Sequence, residues 1–360
     1  MSEMKVPSTE SQQAPVLDVQ DLVVDYRLPG RRRALVHAVR GVSFAMNRGR
    51  TVGLVGESGS GKSTIGNAVL GLVPVTSGTV RFHGREITNS DRRERRLLAR
   101  RMQVVFQDPF GSMNPALTVG DTMAEALRFN LELPVEERRA RLEQALRDVG
   151  LPPETEHRYP SEFSGGQRQR IAIARALVMQ PEFIVCDEAV SALDLSVQAQ
   201  ILNLLTRLKA EHGLSYLFIS HDLAVVRYIS DDIVVLYAGQ VMEQGPADVV
   251  AENPRHPYTR ALIEAAPEPD PEVQRERQET RLRMRGSMGA VPGTGCPFAA
   301  RCPHVFDRCT TERPELRPNS GVLVACHLVD PDPATTQRDV RPPIDLHRDT
   351  EEKEEHRWPR

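Results

Sequence analysis

The segment Thr51–Thr64, TVGLVGESGSGKST, narrows the possible folds more than any other part of the chain. It reads as a short apolar strand, a glycine-rich loop and the start of a helix. Gly56, Gly61, Lys62 and Ser63 fit the spacing G-x-x-x-x-G-K-[ST], with Ser58, Gly59 and Ser60 inside the loop and Thr64 just after it. Glycines let the backbone curl until several N–H groups face one anion, at the positive end of the helix that follows. In such a loop the lysine reaches the β- and γ-phosphates and the serine hydroxyl ligates Mg²⁺. A plain glycine turn with a solvated lysine would need neither the strand before it nor the helix after it. The segment therefore predicts an α/β domain that binds a nucleoside triphosphate with Mg²⁺.

The surrounding pattern agrees. Over residues 16–266 the β-branched runs VLDVQDLVVDY, MQVVFQ, FIVCDE, YLFISH and DIVVLYAG alternate with helical stretches at 62–72, 122–131, 136–149, 164–179 and 196–212. Residues 118–150 are mostly helical and read as an insertion. Residues 1–15 read as a disordered leader, 267–285 as a linker and 331–360 as a disordered tail, with a Gly/Pro/Cys-rich module at 286–330. Lys+Arg 46 against Asp+Glu 49 leaves a net charge of −3, which argues against a nucleic-acid partner bound by bulk positive charge. No apolar run approaches the roughly 18–20 residues of a membrane-spanning helix, and no secretory signal precedes the first strand. The chain is expected to be cytosolic.

The run FIVCDE carries an apolar strand into Asp187 and Glu188. Asp187 at the strand end suits a Mg²⁺ ligand held through water. Glu188, one residue on, is expected to point the other way along the strand and to polarise an attacking water. Two acids after a strand can also cap a helix, but the phosphate loop upstream favours chemistry. Cys186 reads as strand packing. In YPSEFSGGQRQR, residues Ser164, Gly165 and Gly166 open a second helix rich in free N–H groups. Two anion-binding helix ends exceed what one nucleotide needs, so the second is expected to serve another subunit's nucleotide.

Here the chain resembles the ATP-binding cassette (ABC) ATPases, with six motifs in the family's order over roughly residues 16–330. The resemblance implies a P-loop cassette with a RecA-like core, an antiparallel β subdomain and a helical insertion. It implies that Gln107 senses Mg²⁺ and contacts a membrane partner, and that Ser164, Gly165, Gly166 and Gln167 press on the γ-phosphate of the opposing subunit. It makes Ser191–Asp194 the D-loop, with Asp194 near the shared nucleotide, and His221 in LFISHD the switch histidine. Tyr26 would stack on adenine, although a single aromatic is often packing. Phe163 stands where leucine is usual and Ala189 where proline is common; neither change removes a catalytic group.

Three further stretches, FGSMNPALTVGDTMAEALR, ENPRHPYTRALIEAAPEPDP and GCPFAARCPHVFDRC, resemble the ATPase subunits of bacterial oligopeptide and dipeptide importers. That resemblance implies ATP sandwiched between two cassettes, with Glu188 and His221 serving hydrolysis. It implies two membrane permease subunits, a second cassette that is usually a different chain, and an extracytoplasmic substrate-binding protein. The expected place is the cytoplasmic face of the membrane. Peptides are the expected cargo, while related importers carry nickel, glutathione or sugars. A soluble ABC ATPase of translation or repair would show two cassettes or a long coiled coil, and neither is present in the sequence.

Cys296, Cys302, Cys309 and Cys326 are spaced C-x5-C-x6-C-x16-C. A disulfide framework does not suit a cytosolic chain. Four thiolates suit tetrahedral Zn²⁺ or an Fe–S cluster. The resemblance favours [4Fe–4S], with Zn²⁺ and free thiols as alternatives, and His304 and His327 as spare ligands.

Overall fold

The computed structural model describes residues 14–27, 35–108, 111, 113–265 and 294–329. The expected linker and tail, and all but the last two residues of the leader, lie outside them. The strands are β1 (Leu17–Arg27), β2 (Leu35–Met46), β3 (Thr51–Val55), β4 (Ser77–Phe82), β5 (Arg85–Glu86), β6 (Met102–Val105), β7 (Phe183–Asp187), β8 (Ser215–Ser220), β9 (Asp232–Tyr237), β10 (Gln240–Pro246), β11 (Arg317–Asn319) and β12 (Val322–Val324). The longer helices are α1 (Lys62–Leu70), α2 (Arg92–Leu98), α3 (Val119–Asn130), α4 (Val135–Asp148), α5 (Gly165–Leu177), α6 (Leu195–His212), α7 (Leu223–Ile229), α8 (Ala247–Glu252) and α9 (Pro257–Ala265).

Two sheets result. The main sheet runs β11-β12-β10-β9-β3-β8-β7-β6, and a four-stranded antiparallel sheet runs β2-β1-β4-β5. Strands β9, β3, β8, β7 and β6 are mutually parallel. Parallel strands covered on both faces read as unbroken apolar runs, and every residue of β3 is buried. Strand alternation divides the core between the two faces of the sheet. Ile184, Cys186, Tyr216 and Phe218 join one buried cluster with residues of α5 and α6. Phe183, Val185, Leu217 and Ile219 join the other, with α1 and the antiparallel sheet.

The helical insertion is present as α3 and α4. Helix α3 starts at Val119, earlier than the periodicity indicated, because the Thr118 hydroxyl caps it by accepting from the Asp121 N–H at 3.1 Å. The cysteine-bearing segment at 294–329 is not a body apart. Its strand β12 pairs antiparallel with β10 through Glu243↔Val324 and Gln244↔Leu323, and so extends the main sheet. Cys296, Phe298, Cys309, Val322, Val324 and Cys326 sit in the same buried cluster as β7, β8 and β9. A stretch with too few large apolar residues for its own core shares that of the cassette.

Candidate nucleotide site and cysteine cavity

Strand β3 delivers the chain into the phosphate loop, and two of its glycines have no substitute. A Cβ on Gly56 would stand 2.1 Å from the Leu236 carbonyl oxygen; one on Gly61, where φ is +97°, would stand 2.4 Å from that of Ala38. Gly61 then caps α1 in the left-handed conformation. The Lys62 ammonium lies buried beneath the loop and donates to Gly56 O (2.7 Å), Glu57 O (2.9 Å) and Ser60 Oγ (3.5 Å). Burial pushes its pKa down, while the charges of Glu188, Asp187 and Glu57 push it back up. Ser58, Gly59 and Ser63 are exposed and Thr64 is half-buried.

Ser63 Oγ donates to Asp187 Oδ1 at 2.8 Å. Burial raises the Asp187 pKa, opposed by the Ser63 bond; the neighbouring Glu188 raises it further and Lys62 lowers it. Glu188 does not follow the alternation expected of it. Strand β7 ends at Asp187, and Glu188 takes φ +48°. Its N–H donates to Ile219 O (3.0 Å), and its carbonyl accepts from the Ser191 N–H (3.2 Å) and Oγ (3.0 Å). A left-handed residue other than glycine costs backbone energy and persists only where its surroundings hold it. Both carboxylates lie close enough for their charges to act on Lys62. His221 follows β8 and sets Nδ1 3.6 Å from Glu188 Oε1. Lys62, Ser63, Asp187, Glu188 and His221 are thus gathered at the carboxyl ends of three neighbouring parallel strands, β3, β8 and β7.

The remaining expected residues are placed as follows. Gln107 is exposed two residues past the end of β6, which pairs in parallel with β7 through Val105↔Cys186, so it leaves the sheet at the same carboxyl edge as Asp187. Ser164 caps α5 in a reciprocal box: the Gln167 N–H donates to Ser164 Oγ (3.4 Å) and the Ser164 N–H to Gln167 Oε1 (3.0 Å). Gly165 and Gly166 form the first turn. Asp194 caps α6, accepting from the Val197 N–H (2.9 Å) and Ser196 Oγ (2.7 Å). Tyr26 is 37% exposed on β1. Among the described residues no hydrogen bond or ion pair joins Tyr26, Gln107, Ser164 or Asp194 to the phosphate loop.

The four clustered cysteines line one small cavity with His256, Phe298, His304 and His327. Burial pushes the thiols of Cys296 and Cys326 up to about 11, so these two stay neutral near pH 7 when bare, and it raises that of Cys302. His256 Nδ1 accepts from the Tyr258 N–H at 3.0 Å, which leaves the ring proton on Nε2, a buried donor with no partner among the described residues. His327 Nε2 is engaged with Glu312 O at 2.9 Å. Among the described residues no three ligating side chains form a ready-made metal shell. Cys186 is buried in β7, as expected of packing, with its pKa pushed up to about 12. Two residues with no expected role also touch the site. They are Glu57 within the loop and Arg301 beside Cys302, joined as an ion pair.

The doubly layered α/β sheet, the phosphate loop and the acidic strand end define an ATP-binding cassette. The family model "ABC transporter" matches residues 39–191, and the model "Oligopeptide/dipeptide transporter, C-terminal region" matches residues 242–309. The chain is 46% identical over 319 residues to the di/tripeptide transport ATP-binding protein of Pseudomonas aeruginosa, covering 87% of this chain and 97% of that one. It is 44% identical over 325 residues to the dipeptide transport ATP-binding protein of Escherichia coli, covering 89% and 96%. Among solved structures it is similar to a dimeric ATP-binding cassette in a post-hydrolysis state bound to ADP and Pi, with TM-score 0.57, 29% identity, and coverage of 64% of this chain and 98% of that one. The chain belongs to the peptide-import ATP-binding proteins of the ABC transporters. Among the described residues no helix is long and apolar enough to cross a membrane.

Proposed function

We propose that the protein hydrolyses ATP to drive the import of peptides through separate membrane permease subunits. The observation that carries this reading is the convergence of Lys62, Ser63, Asp187, Glu188 and His221 on three adjacent strand ends. The N–H groups of the loop and of the first turn of α1 bind the phosphates, and Lys62 exchanges its carbonyl partners for phosphate oxygens. Ser63 Oγ and Asp187 Oδ1 already meet at 2.8 Å, a donor set that fits Mg²⁺, with Gln107 completing it. When bound, Mg²⁺ neutralises charge that develops on the transferred phosphoryl group. Glu188 orients a water for in-line attack and takes up its proton, and His221 donates to the phosphoryl oxygens.

In this reading the capped end of α5, Ser164–Gln167, closes on the γ-phosphate held by a second cassette, with Asp194 alongside and Tyr26 against the adenine. The dimeric, ADP- and Pi-bound cassette among the similar structures supports that arrangement. The second cassette is a different chain or a second copy. Gln107 moves with closure and passes it to the permeases, which place the subunit at the cytoplasmic membrane face beside a substrate-binding protein. The printed functions of the relatives, di/tripeptide and dipeptide transport, support peptides as cargo.

The chemistry of Cys296, Cys302, Cys309 and Cys326 fits a thiolate-bound [4Fe–4S] cluster or Zn²⁺, and the unpartnered His256 Nε2–H would suit an acceptor placed among them. Such a group supplies a cross-link between the turns of the segment. Anaerobically purified protein should be brown with acid-labile sulfide; colourless, zinc-loaded protein would rule out the cluster in favour of zinc, and metal-free protein would mean four free thiols. The functional reading is tested by reconstitution with the permeases in vesicles. ATP-dependent dipeptide uptake that vanishes in Lys62→Ala is expected, and uptake indifferent to ATP would overturn it.

A further inference from the structure

Glu57, the residue after Gly56 in the phosphate loop, is held at every polar group it has. Its N–H donates to Tyr258 Oη at 2.9 Å, its carbonyl accepts from Lys62 at 2.9 Å, and its two carboxylate oxygens accept from the Arg301 guanidinium at 2.8 and 2.9 Å. Tyr258 comes from α9. Arg301 closes the short 3-10 turn Ala299–Arg301, immediately before Cys302. Its side chain is 13% exposed. Its guanidinium carbon lies 5.9 Å from the Tyr237 ring centre and 5.7 Å from that of Phe298. Tyr237, Tyr258 and Phe298 pack on one another with centroids 4.8 to 5.4 Å apart, so both partners of Glu57 stand on one aromatic base.

Two physical effects follow. A forked Arg–carboxylate pair fixes direction as well as distance. The Glu57 N–H is bonded to Tyr258 and its carbonyl also accepts from the Ser60 N–H at 3.2 Å, so the peptide groups on either side of Glu57 stay held when Lys62 turns to phosphate. The second effect is charge. A carboxylate inside a phosphate-binding loop repels the ligand the loop exists to hold, and a paired guanidinium cancels that repulsion.

We propose that Arg301, carried by the cysteine-bearing segment, is a positioning residue of the nucleotide site that orients Glu57 and neutralises it against the phosphates of ATP. Docking of that segment is then a condition for tight ATP binding, and the turn at Cys302 lies one peptide bond from the latch. The proposal rests on Gly56–Thr64 being the ATP loop.

The test is a double-mutant cycle on the full chain, reading ATP affinity with a fluorescent ATP analogue and separating KM from kcat. R301A should weaken ATP affinity by about tenfold, corresponding to about 1.4 kcal/mol, and raise KM more than it lowers kcat. R301K, which keeps the charge but loses the fork, should fall between R301A and the parent. Adding E57Q to R301A should restore most of the affinity, which a merely structural arginine would not allow. If R301A does not fold, R301Q and R301Q/E57Q, which keep bulk at the site but remove the same charge, carry the same comparison. A folded R301A that binds ATP within about twofold of the parent, or a double variant no better than the single, overturns the proposal. K62A that still binds ATP normally would instead overturn the reading of the loop itself.

Discussion

Ser63 and Asp187, 124 residues apart in the chain, meet through a hydrogen bond of 2.8 Å between the serine hydroxyl and the aspartate Oδ1. Ser63 comes from the first turn of α1 and Asp187 from the end of β7, so the bond ties the phosphate loop to the acidic strand. Nothing local dictates it. It exists because β3 and β7 flank β8 in the same parallel order.

Asp187→Asn keeps the shape of this contact and removes the charge. Steady-state hydrolysis should fall by about 10²-fold or more, since the metal clamp on the phosphoryl group supplies several kcal/mol of transition-state stabilisation. The Mg²⁺ concentration giving half-maximal rate should rise in parallel. An unchanged Mg²⁺ dependence would remove Asp187 from the metal site.

Phe298 is 1% exposed and packs against Tyr237, Tyr258 and His256. Phe298→Ala should destabilise the whole cassette by about 3–5 kcal/mol, the range for large aromatic truncations in cores. Urea unfolding should show one transition at a lower midpoint. Two transitions, with the cassette's midpoint unmoved, would mean that the cysteine-bearing segment folds independently.

Acid should weaken the fold through His256. Complete burial depresses its pKa from 6.5 to about 3, so the folded protein leaves the ring neutral where the unfolded chain protonates it. Below pH 6.5 the unfolded state binds the extra proton, and this stability is lost as pH falls toward about 3, at up to about 1.4 kcal/mol per pH unit. The stability gap between the parent and His256→Gln should therefore shrink between pH 7 and pH 5. A gap that stays constant would contradict the burial of a neutral ring.

The elements that hold the chemistry were legible because their sequence signals are local. Strands β3, β7, β8 and β9 are short β-branched runs buried on both faces, and the loop, the acids and His221 sit at their ends. Strand β2 is partly exposed with an irregular burial pattern, and β12 has three residues, so neither has a period to read. The orientation of Glu188 depends on a left-handed turn that alternation cannot foresee. The Glu57–Arg301 pair spans 244 residues. Its only trace in the sequence is an acid inside a phosphate loop, which calls for a cation from elsewhere.

The central claim is that Glu188 drives hydrolysis of ATP held between two cassettes. Its most direct test is the Glu188→Gln variant, examined for ATP binding, turnover and dimer formation by size exclusion with the partner cassette or a second copy. The account predicts ATP affinity close to that of the parent, hydrolysis reduced by about 10²-fold or more, and a stable dimer formed only with ATP. A variant that hydrolyses ATP at the parental rate and never dimerises would contradict it.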